Sequence, residues 1–336
     1  MKAHFPSISI IIPTLNASKI LPRCLESIRN QDYPQEQIEI LLVDGGSTDN
    51  TKEVGEKYGA VFVAGGHKDN QEARKGIGLR TAKGEFACYI DSDNILPNKT
   101  WMNQMTKPLL ADRKIVGAET WRYGVDKTFG DFSRYCALIG ANDPVVLYLD
   151  KCDKLAWLYD EWRGRGVISD NKDYLVVKFD EHSLLTMGGN GFMVRRDILL
   201  KSDCAPEHFF HIDVVLDIVK MGYDTFAMVK NEINHDTAAS LGKLTRRRVT
   251  YFKEHNPATK GRRYLIFNPK KPVDVLRLGI FVLCTLTLLQ PLLFSLRGYL
   301  KVKDRAWFLH PIACWSFLLA YGVATLGVYL NPAQKS

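Results

Sequence analysis

The chain has 336 residues, 46% of them hydrophobic and 24% charged, which is ordinary for a globular protein and enough for one large domain plus a further segment. Its seven cysteines are scattered without a Cys-x-x-Cys pair, which argues against a disulfide framework or a zinc site and indicates reduced, cytosolic thiols. The formal net charge of +8 is concentrated near the C-terminus, where residues 236–277 hold eleven Lys or Arg against three Asp or Glu. That placement favours an anionic membrane surface as a partner and argues against nucleic acid.

The first ninety residues alternate between short apolar runs and amphipathic segments. Strands are predicted at 7–12, 38–43, 60–64 and 86–90, with a helix between each pair and Asn16 as the N-cap of the first helix. Strands joined through helices imply right-handed crossovers, so we expect an α/β fold with a mostly parallel sheet. The apolar run Ile8–Ile12 is too short for a signal-peptide core, and we expect none.

Polar residues follow three of these strands. PTLN (13–16) follows the first, DGG (44–46) the second, and Asp91 and Asp93 the fourth. Because ligands bind beyond the carboxyl ends of parallel strands, the site is expected on this edge of the sheet. Two carboxylates one residue apart repel each other unless a cation or a strongly polar ligand lies between them.

Four spaced segments carry a specific resemblance: ISIIIPTLNASKILPRCLESIRNQ, IEILLVDGGSTDNT, KGIGLRTAKGEFACYIDSDN and GGNGFMVRRDIL. Together they resemble an inverting glycosyltransferase of family 2 with the GT-A fold, over roughly residues 7–236. The resemblance implies transfer of a sugar from a UDP- or GDP-linked donor, with Mg²⁺ or Mn²⁺ as the cofactor.

The resemblance assigns roles on the donor side. Asp91 and Asp93 match the family's DxD motif, so both are expected to hold the metal on the donor diphosphate, and Asp91 also to face the ribose. Asp44 is expected to contact the nucleobase, with Pro13 and Thr14 lining the same pocket. Gly45 replaces the second aspartate of the family's VDDGS motif, which leaves the finer base contacts open.

Three basic or imidazole side chains are further candidates. Lys75 stands where relatives often carry arginine, and it or the adjacent Arg74 is expected to reach a donor phosphate, unless both are solvated helix charges. His235 follows the last predicted strand, where GT-A enzymes place a histidine against the metal or diphosphate; a purely structural histidine is the alternative.

On the acceptor side, an inverting displacement requires a general base. The resemblance gives that role to Asp213 in EHFFHIDVVLDIVKMGYDTF, although Ile212 replaces the family's preceding glutamate, and Asp217 is the rival carboxylate. The acceptor itself is expected to contact Gly189, Asn190, Arg246 and Arg247.

Two long apolar stretches, Leu278–Leu296 and Ala306–Leu330, follow the catalytic segment. Each is about as long as a membrane span, so we predict a transmembrane hairpin, with two buried core helices as the alternative. The basic segment KGRRYLIFNPKKP places residues 1–272 in the cytoplasm. The loop RGYLKVKDR is also basic, so a re-entrant first stretch, broken at Gln290-Pro291, stays open.

These observations predict three parts: a GT-A domain at 1–236, a basic amphipathic juxtamembrane segment at 237–272, and a membrane hairpin at 273–331. The insert 121–185 is read either as a core extension or as acceptor-binding helices. The expected protein is a multi-pass membrane enzyme, resembling dolichol- and polyprenyl-phosphate sugar transferases. Its acceptor would be a polyprenyl phosphate or a lipid-linked glycan. One alternative is a catalytically silent module that binds a nucleotide sugar. A nucleotidyltransferase is the other, and it matches less well because the Gly-rich phosphate loop expected after its first strand is missing from the sequence.

Overall fold

Ten strands form one mixed sheet in the structure, a computed structural model that describes residues 4–162, 166–237, 240–254 and 261–330. The strands are β1 (Ile8–Thr14), β2 (Ile38–Asp44), β3 (Val61–Ala64), β4 (Phe86–Tyr89), β5 (Asn94–Ile95), β6 (Gly117–Gly124), β7 (Val167–Asp170), β8 (Tyr174–Lys178), β9 (Phe192–Arg195) and β10 (Thr225–His235). The predicted segment 237–272 is therefore described only in part, and residue 331 of the predicted hairpin lies outside the described residues.

Helices connect the strands and form the C-terminal part of the chain. They are α1 (Leu21–Arg29), α2 (Thr51–Lys57), α3 (Gln71–Thr81), α4 (Trp101–Ala111), α5 (Asp131–Ile139), α6 (Pro144–Tyr148), α7 (Arg196–Leu199), α8 (His211–Lys220), α9 (Leu241–Glu254), α10 (Pro272–Thr287), α11 (Leu289–Lys301) and α12 (His310–Leu330). Short 3-10 turns occur at Gln35–Gln37 and Arg305–Leu309.

The α/β class is as predicted, but the sheet is mixed rather than mostly parallel. Its strand order is β3-β2-β1-β4-β9-β6-β10-β8-β7, with β5 paired to β10. Strands β3, β2, β1 and β4 are parallel neighbours, as the alternating pattern requires. Strand β9 enters from a loop instead of a crossover helix, and it runs antiparallel to both β4 and β6.

The predicted cap of the first helix is wrong. Asn16 has a φ of 50°, and its Oδ1 accepts the backbone N–H of Thr48 at 2.8 Å, so the side chain ties two loops together. Helix α1 begins five residues later, at Leu21, with a proline in its first turn, where a missing N–H costs nothing. Its buried face is Leu21, Cys24, Leu25 and Ile28.

The chain forms two compact units. Unit 1 contains Met1–Gly124 and Arg163–His235, and therefore the whole sheet. Unit 2 contains Val125–Trp162 and Asp236–Ser336. Thus much of the predicted insert 121–185 belongs with the C-terminal helices.

A shared apolar core holds unit 2 together. Side chains of α5 and α6 pack with those of the C-terminal helices, among them Tyr135, Leu138, Ile139, Phe281, Phe294, Trp307 and Phe317. This common core argues that residues 125–162 and the apolar C-terminal stretches fold as one body.

The first apolar stretch is not the single straight helix predicted over 278–296. Helix α10 ends at Thr287, Leu288 has a φ of 59°, and α11 leaves at an angle of 84°. Pro291 explains the break, because it has no N–H for the carbonyl of Thr287 and its ring would clash there.

Only one helical stretch among the described residues, Arg305–Leu326, is by itself long and apolar enough to cross a membrane. A second membrane span results only if the bent pair α10–α11 is taken as a single span. The predicted pair of membrane spans is therefore matched by one candidate.

Candidate active site

The carboxyl ends of β1 and β2 form one wall of the candidate site. Thr14 and Asp44 face each other across the parallel pair, and the Thr14 hydroxyl donates to Asp44 Oδ1 at 3.0 Å. The other oxygen of Asp44 accepts the backbone N–H groups of Gly46 and Ser47 at 2.8 and 2.7 Å. Burial alone would raise the pKa of Asp44, but these hydrogen bonds outweigh it and lower the pKa. Asp44 therefore stays ionised and shapes the turn that follows β2.

Pro13 and Arg74 complete this wall. Pro13 is buried in β1 opposite Val43. The Arg74 guanidinium, also buried, donates to the backbone carbonyls of His67 and Lys68 at 2.6 and 3.0 Å. A Cβ on Gly45 would lie 2.8 Å from Arg74 Nη1, so the glycine that replaces the family's second aspartate leaves room for this arginine.

The two aspartates after β4 meet the end of β10. Asp91, Asp93 and His235 each offer a ligand atom, and these atoms lie within 4.8 Å of one another. Asp93 Oδ1 is buried, has no hydrogen-bond partner among the described residues, and lies 3.3 Å from His235 Nε2. Two carboxylates and an imidazole are suitable ligands for Mn²⁺ and, through their oxygens, for Mg²⁺. An oxygen left without a partner in the interior is costly unless something binds it, so these residues fit a divalent cation.

Negative charge at this point also acts on a neighbouring thiol. Burial, reinforced by Asp93 and Asp91, raises the pKa of Cys24 well above its ordinary value.

Asp91 itself is held from three sides: Asn94 Oδ1 accepts its backbone N–H at 2.7 Å, Gln71 Nε2 donates to Oδ1 at 2.8 Å, and Lys75 Nζ lies 3.3 Å from Oδ1.

Lys75 is the centre of a buried polar network. Its side chain is 3% exposed, and Nζ lies 3.9 Å from Glu72 Oε1 and donates to the Gly189 carbonyl at 3.2 Å. Burial would lower the pKa of this lysine, but Asp91 and Glu72 raise it, so Lys75 is charged. It therefore connects α3, the aspartate pair and the glycine-rich loop.

The glycine-rich loop 188–191 precedes β9. Gly188 and Gly191 have φ values of 99° and 69°, which residues with a Cβ rarely adopt. The N–H of Gly188 donates to the buried Glu119 at 3.0 Å. Asn190 Oδ1 is buried without a hydrogen-bond partner among the described residues. The loop thus brings the carbonyl of Gly189 next to Lys75.

The remaining predicted residues lie on helices α8 and α9. Asp213 is in the first turn of α8 and is 1% exposed. Asp217, four residues further along α8, is half-buried. Arg246 and Arg247 are both exposed on α9, in unit 2.

Sequence reasoning missed Glu72 and His211. Glu72 Oε2 accepts both the backbone N–H of His211 and a hydrogen bond from its Nδ1, each at 2.9 Å. Glu72 precedes Lys75 by three residues, the spacing of neighbours on a helix, which was a usable signal. His211 is 139 residues away from Glu72 and carries no local signal of this contact.

The mixed sheet and this site define the class of the protein, a transferase with the GT-A fold. The mannosyltransferase PcManGT from Pyrobaculum calidifontis, solved in complex with GDP-Man and Mn2+, superposes with a TM-score of 0.52 over 96% of this chain and 88% of its own. At 14% identity, that likeness shows the fold alone.

The family follows from the sequence. The model of glycosyl transferase family 2 matches residues 9–199, and the chain belongs to this family. It is therefore a glycosyltransferase, as its sequence motifs predicted.

Named relatives match over parts of their lengths. GalNAc(5)-diNAcBac-PP-undecaprenol beta-1,3-glucosyltransferase of Campylobacter jejuni is 26% identical over 224 residues, 63% of this chain and 58% of its own. Dolichyl N-acetyl-alpha-D-glucosaminyl phosphate 3-beta-D-2,3-diacetamido-2,3-dideoxy-beta-D-glucuronosyltransferase of Methanococcus voltae is 42% identical over 85 residues, 24% of this chain and 26% of its own. Glycosyltransferase AglE of Haloferax volcanii is 27% identical over 109 residues, 31% of this chain and 36% of its own. Each match spans less than two thirds of the relative.

Proposed function

We propose that this glycosyltransferase moves one sugar, with inversion, from a nucleoside-diphosphate donor to a lipid-linked acceptor at a membrane. The cluster of Asp91, Asp93 and His235 at the carboxyl edge of the sheet carries the proposal, because these side chains can hold the divalent cation that accompanies a diphosphate. The names of the Campylobacter and Methanococcus relatives, which refer to undecaprenol and dolichyl substrates, support a lipid-linked acceptor.

On the donor side, Asp91, Asp93 and His235 would hold Mg²⁺ or Mn²⁺. When bound, the cation neutralises charge on the departing nucleoside diphosphate. Lys75 adds a fixed positive charge beside Asp91, which suits the same phosphates.

The nucleoside would lie at the ends of β1 and β2, against Pro13, Thr14 and Asp44. Because Asp44 already accepts hydrogen bonds from Thr14 and the following turn, its main contribution is to hold that wall in shape. Arg74 donates hydrogen bonds to the backbone carbonyls of residues 67 and 68, so it can bind a phosphate only if it gives up these two bonds.

On the acceptor side, the attacking group loses a proton as it bonds to the anomeric carbon. Gly189 and Asn190 form the wall next to Lys75, and Asn190 has an amide oxygen available to an acceptor hydroxyl. Helix α8 carries three side chains able to take the proton, His211, Asp213 and the rival Asp217. The exposed Arg246 and Arg247 on α9 suit an anionic lipid headgroup.

We place a cytoplasmic transferase domain at 1–236, a juxtamembrane segment at 237–272 and a membrane segment at 273–331, with residues 125–162 packed on the C-terminal helices. Helices α10 and α11 expose eleven large apolar side chains, which suits a lipid environment: Val273, Val275, Leu276, Ile280, Leu283, Leu286, Leu289, Leu292, Leu293, Leu296 and Leu300. In this arrangement α12 crosses the bilayer.

Ion pairs support a re-entrant α10–α11 pair over a second span. Near the start of α10, Asp274 pairs with Lys151 at 2.7 Å. At the end of α11, Lys301 pairs with Asp160 at 2.7 Å. Both partners lie in one short part of the insert, whereas the two ends of a span are about 30 Å apart. The two-span hairpin is the rival arrangement.

The test is donor turnover by the full chain in lipid nanodiscs. UDP-, GDP- and dTDP-sugars are offered with Mn²⁺, with Mg²⁺ or with chelator, and nucleoside diphosphate release is followed. We expect metal-dependent release from one donor, stimulated by a lipid-linked acceptor, and its loss in Asp93→Asn. The exposed Asp69→Asn serves as the matched control. Metal-independent nucleotide binding without turnover of any donor would favour the silent binding module.

A further inference from the structure

His211 is held in place by a buried carboxylate. Its Nδ1 and its backbone N–H both face Glu72 Oε2 at 2.9 Å. Burial would raise the pKa of Glu72, but its contacts with His211 and the charge of Lys75 outweigh burial and lower the pKa. An ionised carboxylate only accepts hydrogen bonds, so the Glu72 contact requires the proton of neutral His211 on Nδ1. The lone pair of Nε2 is then available to receive a proton.

The free nitrogen is on the side of the acceptor wall. A Cβ built on Gly189 would lie 3.4 Å from His211 Nε2, so the imidazole edge approaches the glycine-rich loop closely. The carbonyl of the same glycine accepts from Lys75, which lies 3.3 Å from Asp91. His211 is thus separated from the aspartate pair by one lysine.

The neighbourhood of His211 also fixes the plane of its ring. Phe210 stacks on it with ring centroids 4.8 Å apart. The charged groups on the elements packed around it include Glu72 and Lys75 of α3, Arg196 and Asp197 of α7, and Asp213, Asp217 and Lys220 on its own helix. Of these, Glu72 makes the direct contact.

His211 fits the role of base better than Asp213 does. Two residues apart on a helix, the side chains point about 200° apart around the axis. The His211 side chain is 17% exposed, whereas Asp213 is 1% exposed, so the histidine is the more accessible to an acceptor.

We infer that His211 is the general base of the transfer, that Glu72 is its positioning residue, and that the acceptor reacts through a hydroxyl group. This inference rests on the proposed function and deepens it. In the step, the acceptor oxygen bonds to the anomeric carbon while the bond from that carbon to the donor phosphate breaks. The hydroxyl proton passes to His211 Nε2, and the nucleoside diphosphate leaves with the bonding electrons.

The acceptor class follows from the need for a base. A phosphate monoester is largely ionised at neutral pH, since its second pKa is about 6, so an attacking phosphate oxygen needs no proton removed. A sugar hydroxyl does need it. The Glu72–His211 pair therefore favours a lipid-linked glycan over a polyprenyl phosphate as the acceptor.

The experiment compares variants of the full chain in nanodiscs, with UDP-glucose and GDP-mannose as donors and Mn²⁺ present. Water is the hydroxyl acceptor in one arm, and a polyprenyl phosphate is added in the other. We expect His211→Asn to lower kcat by about 100-fold or more and to remove the acid limb of the pH profile, with donor Kd within about threefold of the wild type. Imidazole added to His211→Ala should restore part of the rate. The exposed His208→Asn, three residues away, is the matched control and should stay within about twofold of the wild type.

Glu72→Gln separates positioning from stability. Its amide can donate as well as accept, so it no longer fixes the proton of His211 on Nδ1, and kcat should fall about tenfold while donor Kd stays unchanged. A purely structural Glu72 would change the thermal midpoint and leave the kcat of the folded enzyme in place.

Several results would overturn the inference. One is a wild-type rate and acid limb in His211→Asn, and another is loss of the limb in Asp213→Asn but not in His211→Asn. Turnover that requires a polyprenyl phosphate and is insensitive to His211→Asn would identify a phosphate acceptor instead. If the wild type turned over no donor at all, the proposed function itself would fail, and this inference with it.

Discussion

Lys75→Met should destabilise unit 1 far more than removal of an exposed lysine does. Lys75 is 3% exposed and stands between Asp91, Glu72 and the Gly189 carbonyl, so the substitution leaves two carboxylates facing each other without their cation. Breaking a buried pair costs about 3–5 kcal/mol. Because Asp91 and Glu72 are 17% and 12% exposed and keep other hydrogen bonds, we take a lower cost of about 2–3 kcal/mol.

The assay is thermal unfolding of the full chain in nanodiscs, followed by tryptophan fluorescence, with hydrogen exchange of α3 as a local readout. At about 2–4 °C per kcal/mol for a domain of this size, Lys75→Met should lower the midpoint by about 4–12 °C. The matched control is Lys107→Met, because Lys107 pairs with Asp173 at the surface and its side chain is 58% exposed. A fully exposed pair is screened by water and contributes little to stability, so the control should shift by about 2 °C or less. Equal shifts in the two variants would refute the reasoning.

Three further predictions concern packing, pH and topology. Gly298→Ala should overpack the core and lower the thermal midpoint, at a cost of about 1–3 kcal/mol, because its new Cβ would collide with the fully buried Trp307 ring. The control is Gly279→Ala in α10, where the Cβ meets no described atom within 4 Å, and it should not lower the midpoint. Folding lowers the pKa of Asp44, so ionised Asp44 stabilises the protein above about pH 4, and this stabilisation is lost as the pH falls through the folded-state pKa. The stability of Asp44→Asn should therefore depend less on pH in this acid range than the stability of the wild type. If α10 and α11 form a re-entrant pair, Lys303, after α11, lies on the same side of the membrane as Lys114 of the transferase domain. Cysteines placed at these two positions should then react with an impermeant maleimide from the same side of sealed vesicles, with the wild type as background. Labelling from opposite sides would exclude the re-entrant pair.

The parts of the site that are local in sequence were predictable. Strands β1, β2 and β4 follow from apolar runs, and the polar residues after them, such as Asp44 and Asp91, follow from where each run stops. Parallel pairing then brings those ends together whatever the rest of the chain does. The edge of the sheet could therefore be found without any coordinates.

What was missed depends on contacts between distant residues. The role of His211 comes from Glu72, 139 residues away, and neither side chain marks the other in sequence. The antiparallel position of β9 likewise depends on which strands it meets. The break at Leu288 stays an open alternative at the level of sequence, on account of Gln290-Pro291, because hydropathy stays high through the run although the helix cannot pass Pro291.

The shared core of unit 2 has a consequence for synthesis on the ribosome. Residues 125–162 emerge before the 73 residues 163–235, and their packing partners emerge only after those. At about 5–20 residues per second, that delay is roughly 4–15 s. During it the apolar faces of α5 and α6 have no partner helices, so the nascent chain exposes an aggregation-prone surface. Chains released early by a premature stop codon would keep that surface exposed, which makes them natural substrates for chaperones and proteases.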